Sequence, residues 1–201
     1  ASRAGPQTWA PSDSESRPSC TTHSCVADKD GNVFAWTQTL LSRFGSFVLS
    51  PSTGILMNNG IMWFDPVPGK PNSIRPGGRP LSNMCPTVAL SPRIGALAVG
   101  ASGGRKIMPS VAQILSFMLD FGMDPQAALD CPRLFFEEGG VTVESGISDG
   151  LRRELADRGH RIVPAEPDDP LGGGQGIGFH WKRGVLIAGS EPRKDGLALG
   201  Y

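Results

Sequence analysis

The chain has 201 residues, with 19 basic and 19 acidic side chains and a hydrophobic content of 39%. This length suits one domain with a substantial core, and the balanced charge argues against a surface that binds nucleic acid or an anionic membrane. Glycine and proline are numerous, at 27 and 18 residues, without a repeating period, which predicts a folded domain with many turns.

The first structural boundary in chain order lies at residue 21. Residues 1–20 are polar, rich in Ser and Pro and without an apolar period, which predicts a linker. Residues 21–28 and 33–40 have strand-like composition and flank the turn sequence Lys-Asp-Gly-Asn at 29–32. This pattern predicts a β-hairpin.

The following segments predict strands separated by one long loop. Residues 54–60, GILMNNG, have the composition of a short buried strand. Residues 65–86 are rich in Pro and Gly and should run over the surface or line a site. Residues 87–91 and 96–102 predict a second hairpin, which is apolar enough on both faces to be the central pair of a sheet.

Three helices are expected in the second half of the chain. The first covers about 108–121 and carries one apolar stripe; the second follows the cap residue Asp124; the third covers 148–159. Because the predicted order is strands, helices and strands again, a sheet layered against helices is favoured over a strictly alternating fold. Further strands are predicted at 139–146, 160–165, 176–184 and 185–190.

Neither a structural zinc nor a cofactor is expected. The four cysteines have neither zinc-site spacing nor the density of a disulfide framework. The glycine run at 171–178 lacks the Lys-Ser/Thr ending of a phosphate-binding loop, so we interpret it as a turn into a strand. His23, His160 and His180 are interpreted as strand or turn residues rather than ligands.

Thr21 stands where the linker gives way to the first strand, and threonine is an ordinary strand residue. A cut before Thr21 would give it a more specific meaning, because the residue would carry a hydroxyl nucleophile beside a free α-amino group. The ordinary pKa of that amine, about 7.7 to 8.0, suits a general base near neutral pH. No Ser/His/Asp arrangement or GxSxG elbow stands out as an alternative.

Five sequence blocks then carry a family resemblance. Together they resemble the small subunit of γ-glutamyltranspeptidases, N-terminal nucleophile hydrolases that cleave their own precursor before a Thr. The resemblance covers residues 21–201, with residues 1–20 as the end of the large subunit. The blocks are TTHSCVADKDGNVFAWTQTLLSRFG, GILMNNG, RPLSNMCPT, GASGGRKI and EPRKDGLALGY.

The resemblance implies a fold and a partner. The fold would be α+β, a four-layer αββα sandwich of the N-terminal nucleophile type, of which this chain is the C-terminal part. The partner would be the large subunit from the same precursor, forming a heterodimer. It would contribute helices, an edge of the sheet and an Arg for the substrate carboxylate.

The resemblance also assigns site residues. Thr21 would be the nucleophile in self-cleavage and in turnover, and Thr39 the supporting threonine, although Thr39 alone reads as one more strand residue. Gly103 and Gly104 would form the oxyanion hole, although Gly pairs are common before helices. A separate pair, Ser82 and Asn83, would bind the substrate α-carboxylate, although a loop Ser-Asn is also ordinary turn chemistry.

Three positions depart from well-studied members of the family. Leu41 stands where they have Asn, Gly60 where they have Gln, and Trp63 where they have Asp. Those polar groups would hold the glutamyl head group, so glutathione is expected to be a poor substrate. The segment before RPLSNM is also shorter than in members with a lid over the acceptor site, which points to the lidless branch.

These features leave several functions open. The first is a γ-glutamyltransferase-like amidohydrolase or acyltransferase that acts on γ-glutamyl or related acyl amides, with water or an amine as acceptor. The second is a cephalosporin-acylase-like enzyme or a small-amide amidohydrolase of the same family. The third, of another class, is a binding module that keeps the fold and has lost the chemistry.

Overall fold

The computed structural model describes residues 20–137, 139–166, 171–180 and 182–201. Apart from Cys20, the predicted linker lies outside these residues. The helices are α1 (Ile107–Leu119), α2 (Pro125–Asp130) and α3 (Asp149–Asp157), with short 3₁₀ helices at Gly60–Trp63 and Gly104–Lys106. The strands are β1 (Thr21–Ala27), β2 (Val33–Thr39), β3 (Thr87–Ser91), β4 (Gly95–Ser102), β5 (Leu134–Glu137), β6 (Gly140–Val143), β7 (Ile162–Pro164), β8 (Gly173–His180) and β9 (Val185–Ser190).

The strands form three sheets. An antiparallel sheet has the order β3-β4-β8-β9, a smaller sheet the order β5-β6-β7, and β1 pairs with β2 as a hairpin. One face of the four-stranded sheet packs on α1 and α2, and the other face packs on the hairpin. The hairpin, the sheet and the two helices therefore form three successive layers.

Strand β4 supplies the core between the sheet and the helices. Leu97, Val99 and Ala101 are buried in one cluster with apolar residues of α1 and α2. Alternate residues point to the other face, where the ring of His23 lies against Gly100. Because successive side chains of a strand point to opposite faces, one apolar strand serves both layers.

The glycine run at 171–178 allows the helices to approach the sheet closely. A Cβ on Gly174 would lie 2.6 Å from Cδ2 of Leu129 and 2.8 Å from Cδ1 of Ile114. A larger residue there would push the helix layer away from the sheet. The strand predicted at 176–184 is observed at Gly173–His180, so it begins inside the run that we interpreted as a turn, and residues 182–184 form a turn instead.

Local signals predicted the helices well. The structure confirms α1 within two residues at each end. The Asp124 side chain accepts a hydrogen bond from Ala127 N at the start of α2. The Ser148 side chain accepts one from Leu151 N at the start of α3. Side-chain capping of free helical N–H groups explains both starts.

Two predictions about strands are wrong. Residues 54–60 form no strand: Leu56 makes an isolated bridge with Leu49, and Gly60 begins a 3₁₀ helix. Their apolar side chains are largely exposed, with Ile55 at 61%, because no other described part of the chain covers them. The second hairpin is not a central pair either, since β3 lies at the edge of its sheet with Leu90 exposed.

A network of buried charges joins three distant segments of the chain. Arg133 and Glu191 are fully buried and form an ion pair, with Arg133 Nη2 2.7 Å from Glu191 Oε2. The guanidinium also donates to three carbonyl oxygens, those of Leu129, Leu171 and Gly172. Arg193 extends the network, because it bonds both Glu191 and Glu144 at 2.6 and 2.8 Å.

Removing one partner of the buried pair should strongly destabilise the fold. Glu191→Gln leaves the Arg133 charge buried without its counter-charge, which costs about 3–5 kcal/mol. The matched control is Glu154→Gln, which breaks the exposed pair with Arg158 and should cost less than about 1 kcal/mol. Urea unfolding of the full-length protein measures both, and equal shifts of the two midpoints would contradict the role given to the network.

Candidate active site

The hydroxyls of Thr21 and Thr39 meet at the open end of the first hairpin. The β1–β2 register places Thr21 directly opposite Thr39. Thr21 Oγ1 donates a hydrogen bond of 3.0 Å to Thr39 Oγ1. Thr39 Oγ1 also accepts a hydrogen bond of 2.9 Å from the backbone N–H of Leu41. Thr39 therefore fixes the direction of the Thr21 hydroxyl.

The loop after Thr39 is held in a strained conformation. Leu41 has φ +72°, in the left-handed region that residues other than glycine rarely adopt. Asn59 holds the residues on either side of Leu41. Its side-chain Oδ1 accepts a hydrogen bond of 3.0 Å from Ser42 N, and its backbone N–H donates one of 3.1 Å to Leu40 O. Such strain persists only where surrounding contacts fix it, and it is common at functional sites. No role for Asn59 was predicted, although it lies in one of the blocks that carry the resemblance.

The hairpin lies along β4, and two contacts fix its direction. Gly31, in the hairpin turn, lies near the ring of Phe179, which pairs with Ala96 near the start of β4. Farther along, His23 lies against Gly100. The open end of the hairpin, with Thr21, is therefore directed toward the end of β4.

Gly103 and Gly104 follow β4 at this end. Their φ angles are +130° and +60°, so the turn uses backbone conformations that residues other than glycine rarely adopt. A Cβ on Gly103 would also lie only 2.9 Å from Gly172 Cα. Glycine is therefore required for both conformation and space at Gly103, the first of the two proposed oxyanion-hole residues.

Ser82 and Asn83 lie in the loop that leads into β3. Because β3 is antiparallel to β4, with Thr87 opposite Val99, the chain before Thr87 extends toward the same end of the sheet. The side chain of Ser82 is exposed, and the contact seen for its Oγ is local, from Met84 N at 3.3 Å. The direction of the chain before Thr87 is compatible with the role expected of this pair, which stays a prediction.

Of the three positions where the resemblance implies a departure from the family, two lie side by side. Gly60 and Trp63 share one 3₁₀ helix, and a Cβ on Gly60 would lie 3.2 Å from the Trp63 ring. The Trp63 backbone oxygen accepts a hydrogen bond of 2.6 Å from Asn72 Nδ2, which ties this helix to the long loop. Trp63 thus presents an aromatic ring at a position where the resemblance implies a family Asp, and that correspondence stays a prediction.

His23 lies behind the threonine pair and is structural. Its Nδ1 is 2.7 Å from Thr37 Oγ1 and its Nε2 is 3.1 Å from Cys25 Sγ. Burial lowers the pKa of His23 to about 4 and raises the pKa of Cys25 to about 12. Both groups are therefore neutral near pH 7, and the prediction that His23 is a strand residue is confirmed.

Metal sites and membrane-spanning helices each have clear structural requirements. The described residues contain no group of three or more His, Cys, Asp or Glu side chains placed to hold a metal ion. Within the same ranges, no helix has both the length and the apolar character needed to cross a bilayer.

Comparison with known proteins gives a consistent set of relatives. Residues 1–201 match the sequence family described as Gamma-glutamyltranspeptidase. A glutathione hydrolase proenzyme from Bacillus subtilis (strain 168) is 32% identical over 181 residues, which cover 90% of this chain and 30% of that protein. Acylase ACY 1 proenzyme from Pseudomonas sp. (strain SE83) is 36% identical over 190 residues, which cover 94% of this chain and 34% of that protein.

A solved structure supports the same relationship. A γ-glutamyltranspeptidase from Helicobacter pylori superposes with a TM-score of 0.74 at 30% identity, and the match covers 86% of this chain and 100% of that one. The mixed α/β arrangement with several sheets is thus shared with that protein. The chain spans about a third of the length of the curated relatives it matches.

His23 should make stability depend on pH. Its pKa is about 4 in the folded state and 6.5 as its ordinary value, so between these values the unfolded chain binds more protons. Stability should therefore fall as the pH decreases from about 6.5 to about 4, by up to about 3 kcal/mol. His23→Gln should flatten this dependence in urea unfolding, whereas His160→Gln, at an exposed position, should leave it intact. An unchanged slope in His23→Gln would contradict this assignment.

Proposed function

The chain belongs to the γ-glutamyltranspeptidase family, and we propose that residues 21–201 are the small subunit of a Thr-nucleophile amidohydrolase or acyltransferase, released by a cut between Cys20 and Thr21. Residues 1–20 are then the end of the large subunit. The observation that carries the proposal is the hydrogen bond from Thr21 to Thr39 at the first residue of β1. A threonine that only built a strand would not need this partner.

Self-cleavage is the first reaction of Thr21. Its Oγ attacks the carbonyl carbon of Cys20, and the peptide C–N bond breaks as the hydroxyl proton is lost and the nitrogen gains a proton. The product is an ester on Thr21 with a free α-amine. Water then hydrolyses this ester, which leaves Cys20 as a carboxylate and Thr21 as the new N-terminus.

Turnover uses the same oxygen with the new amine as base. The amine takes the proton of the Thr21 hydroxyl while the oxygen attacks an amide carbonyl, and the proton then passes to the leaving nitrogen. The resulting acyl-enzyme transfers its acyl group to water or to a second amine. Thr39 supports the attack, because its oxygen holds Thr21 Oγ1 in place and is itself fixed by Leu41 N–H.

Gly103 and Gly104 are proposed to stabilise the negative oxygen of the tetrahedral intermediate. They follow β4 at the end of the sheet toward which the hairpin opens, and their positive φ angles form a turn without side chains. Backbone donors placed in this way commonly contribute about 3 to 4 kcal/mol each. The pair Ser82 and Asn83, in the loop that leads into β3, is proposed to bind the substrate carboxylate.

A large subunit would complete a four-layer αββα sandwich. The structure supplies a hairpin layer, a sheet layer and a helix layer, and the outer face of the hairpin carries exposed apolar residues. Val26, Phe34 and Trp36 are each more than half exposed. Apolar surface of this kind marks an interface, so we assign it to the partner derived from the same precursor.

The preferred acyl group is proposed to lack an α-ammonium. Leu41 and Trp63 offer apolar surface where the family has Asn and Asp, and an ammonium buried there would lose hydrogen bonds at a cost of roughly 1 to 3 kcal/mol or more. The lidless arrangement would also admit bulky amides. Relatives named glutathione hydrolase and acylase both match the chain, so acylase-like or small-amide hydrolysis is the second candidate within the family.

Replacing the nucleophile should abolish both reactions. Thr21→Ala removes the attacking oxygen, so the full-length precursor should stay uncut and hydrolyse no amide. Thr22→Ala is the matched control, because the Thr22 side chain points to the exposed face of β1. Intact-mass analysis and N-terminal sequencing measure the outcome, and normal processing of Thr21→Ala would refute the assignment. A wild-type precursor that folds but never yields a Thr21 terminus would instead favour the binding module.

Substrate choice should follow the apolar side chains of Leu41 and Trp63. The matured wild-type enzyme should hydrolyse glutaryl p-nitroanilide with a kcat/KM at least about tenfold above that for the γ-glutamyl compound, a difference of about 1.4 kcal/mol. The double variant Leu41→Asn with Trp63→Asp should reverse this preference. Phe121→Asp adds a carboxylate beyond α1, on the other side of the sheet, and should leave the ratio unchanged. A wild-type preference for the γ-glutamyl substrate would contradict the proposed acyl specificity.

A further inference from the structure

The segment after β9 is held rigidly next to the end of β4. Arg193 Nη1 donates to Leu129 O at 2.8 Å, and its Nη2 donates to Cys131 O at 3.0 Å. The same guanidinium bonds Glu191 and Glu144. With these contacts in place, the backbone at Arg193 has little freedom, and the direction of the next residue, Lys194, is set.

Lys194 reaches from this anchored segment to the residue before the glycine pair. Its Nζ donates a hydrogen bond of 3.2 Å to Oγ of Ser102, the buried last residue of β4. Its aliphatic part lies across Gly173, where a Cβ would come within 2.5 Å of Lys194 Cδ. Gly173 is the β8 partner of Ser102, so the lysine spans the last pair of the β4–β8 ladder.

The other side of the glycine turn is supported by the same buried charges. Gly172 lies so close to Gly103 that a Cβ on Gly103 would come within 2.9 Å of Gly172 Cα. The carbonyl of Gly172 accepts a hydrogen bond of 3.1 Å from Arg133 Nη2. Arg133 in turn pairs with Glu191. The turn is therefore held from one side through Arg133 and Gly172, and from the other through Lys194 and Ser102.

We propose that Lys194 is a positioning residue for the oxyanion site: by holding Ser102, its ammonium keeps the N–H groups of Gly103 and Gly104 in the direction that the transition state requires. This inference rests on the proposed function of the two glycines. Misdirected donors weaken binding of the transition state more than binding of the ground state. Loss of the contact should therefore lower kcat and leave KM nearly unchanged.

Matched variants of the matured full-length enzyme test this role. Lys194→Met keeps the aliphatic chain and removes the ammonium, and kcat per processed subunit should fall about tenfold with KM within twofold. Lys194→Arg should restore most of the loss, because it can donate to Ser102. Ser102→Ala should lower kcat similarly, and the double variant should lose no more than either single one. Lys29→Met removes an exposed charge in the first hairpin turn and should have no effect.

A second measurement does not depend on turnover. Hydrogen exchange of the peptide spanning residues 100–106 should be faster in Lys194→Met than in wild type or Lys29→Met. Unchanged exchange, an unchanged kcat, or a rise in KM alone would overturn the proposal. If wild-type protein cleaves no amide, the proposed function fails, while the exchange rates still decide whether Lys194 orders the turn.

Discussion

The register of a single hairpin determines where the Thr21 hydroxyl lies. Because side chains alternate along a strand, a slip of one residue between β1 and β2 would move Thr21 away from Thr39 and onto the outer face. Three contacts oppose such a slip. Asp28 accepts hydrogen bonds from Asp30 N and Asn32 N in the turn, and His23 bonds Thr37 at the middle of the hairpin. The ring of His23 also fits against Gly100, where only a residue without a side chain leaves room.

Burial of charge holds the opposite side of the candidate site together. The network joins the segment with Glu191 and Arg193 to residues far earlier in the sequence, Arg133 and Glu144. Each of the four side chains makes several charge-assisted hydrogen bonds. Desolvating these groups is costly, so the network tolerates little change in geometry. It lies next to Gly172, which packs on the glycine turn, and so connects the core to the proposed oxyanion donors.

Sequence signals predicted the elements whose causes are local. The Asp-Gly turn at 30–31, the cap residues Asp124 and Ser148, and the stripe of α1 each depend on neighbours within a few positions. The prediction of a strand at 54–60 was wrong because no other described part of the chain packs against its apolar residues. Composition alone could not show that these residues are exposed. The buried charges were missed for a related reason, since Arg and Glu are usually exposed and only the fold brings these distant residues together.

The site was predictable to a similar degree. The predicted hairpin is compatible with the pairing of Thr21 and Thr39. The role of Thr39 came from the family resemblance, as did those of Gly103, Gly104, Ser82 and Asn83. Neither the clamp by Asn59 nor the contact between Lys194 and Ser102 has a sequence pattern that would reveal it, because each depends on loops that are placed by the whole domain.

The burial of Cys25 has a practical consequence. Its thiol lies under the first hairpin, and burial raises its pKa to about 12, so almost no thiolate exists at neutral pH. The thiolate is the form that reacts with alkylating reagents. Cys25 should therefore resist alkylation while the hairpin stays packed on the sheet. The rate at which Cys25 is alkylated therefore reports how often β1, the strand that carries Thr21, detaches from the sheet.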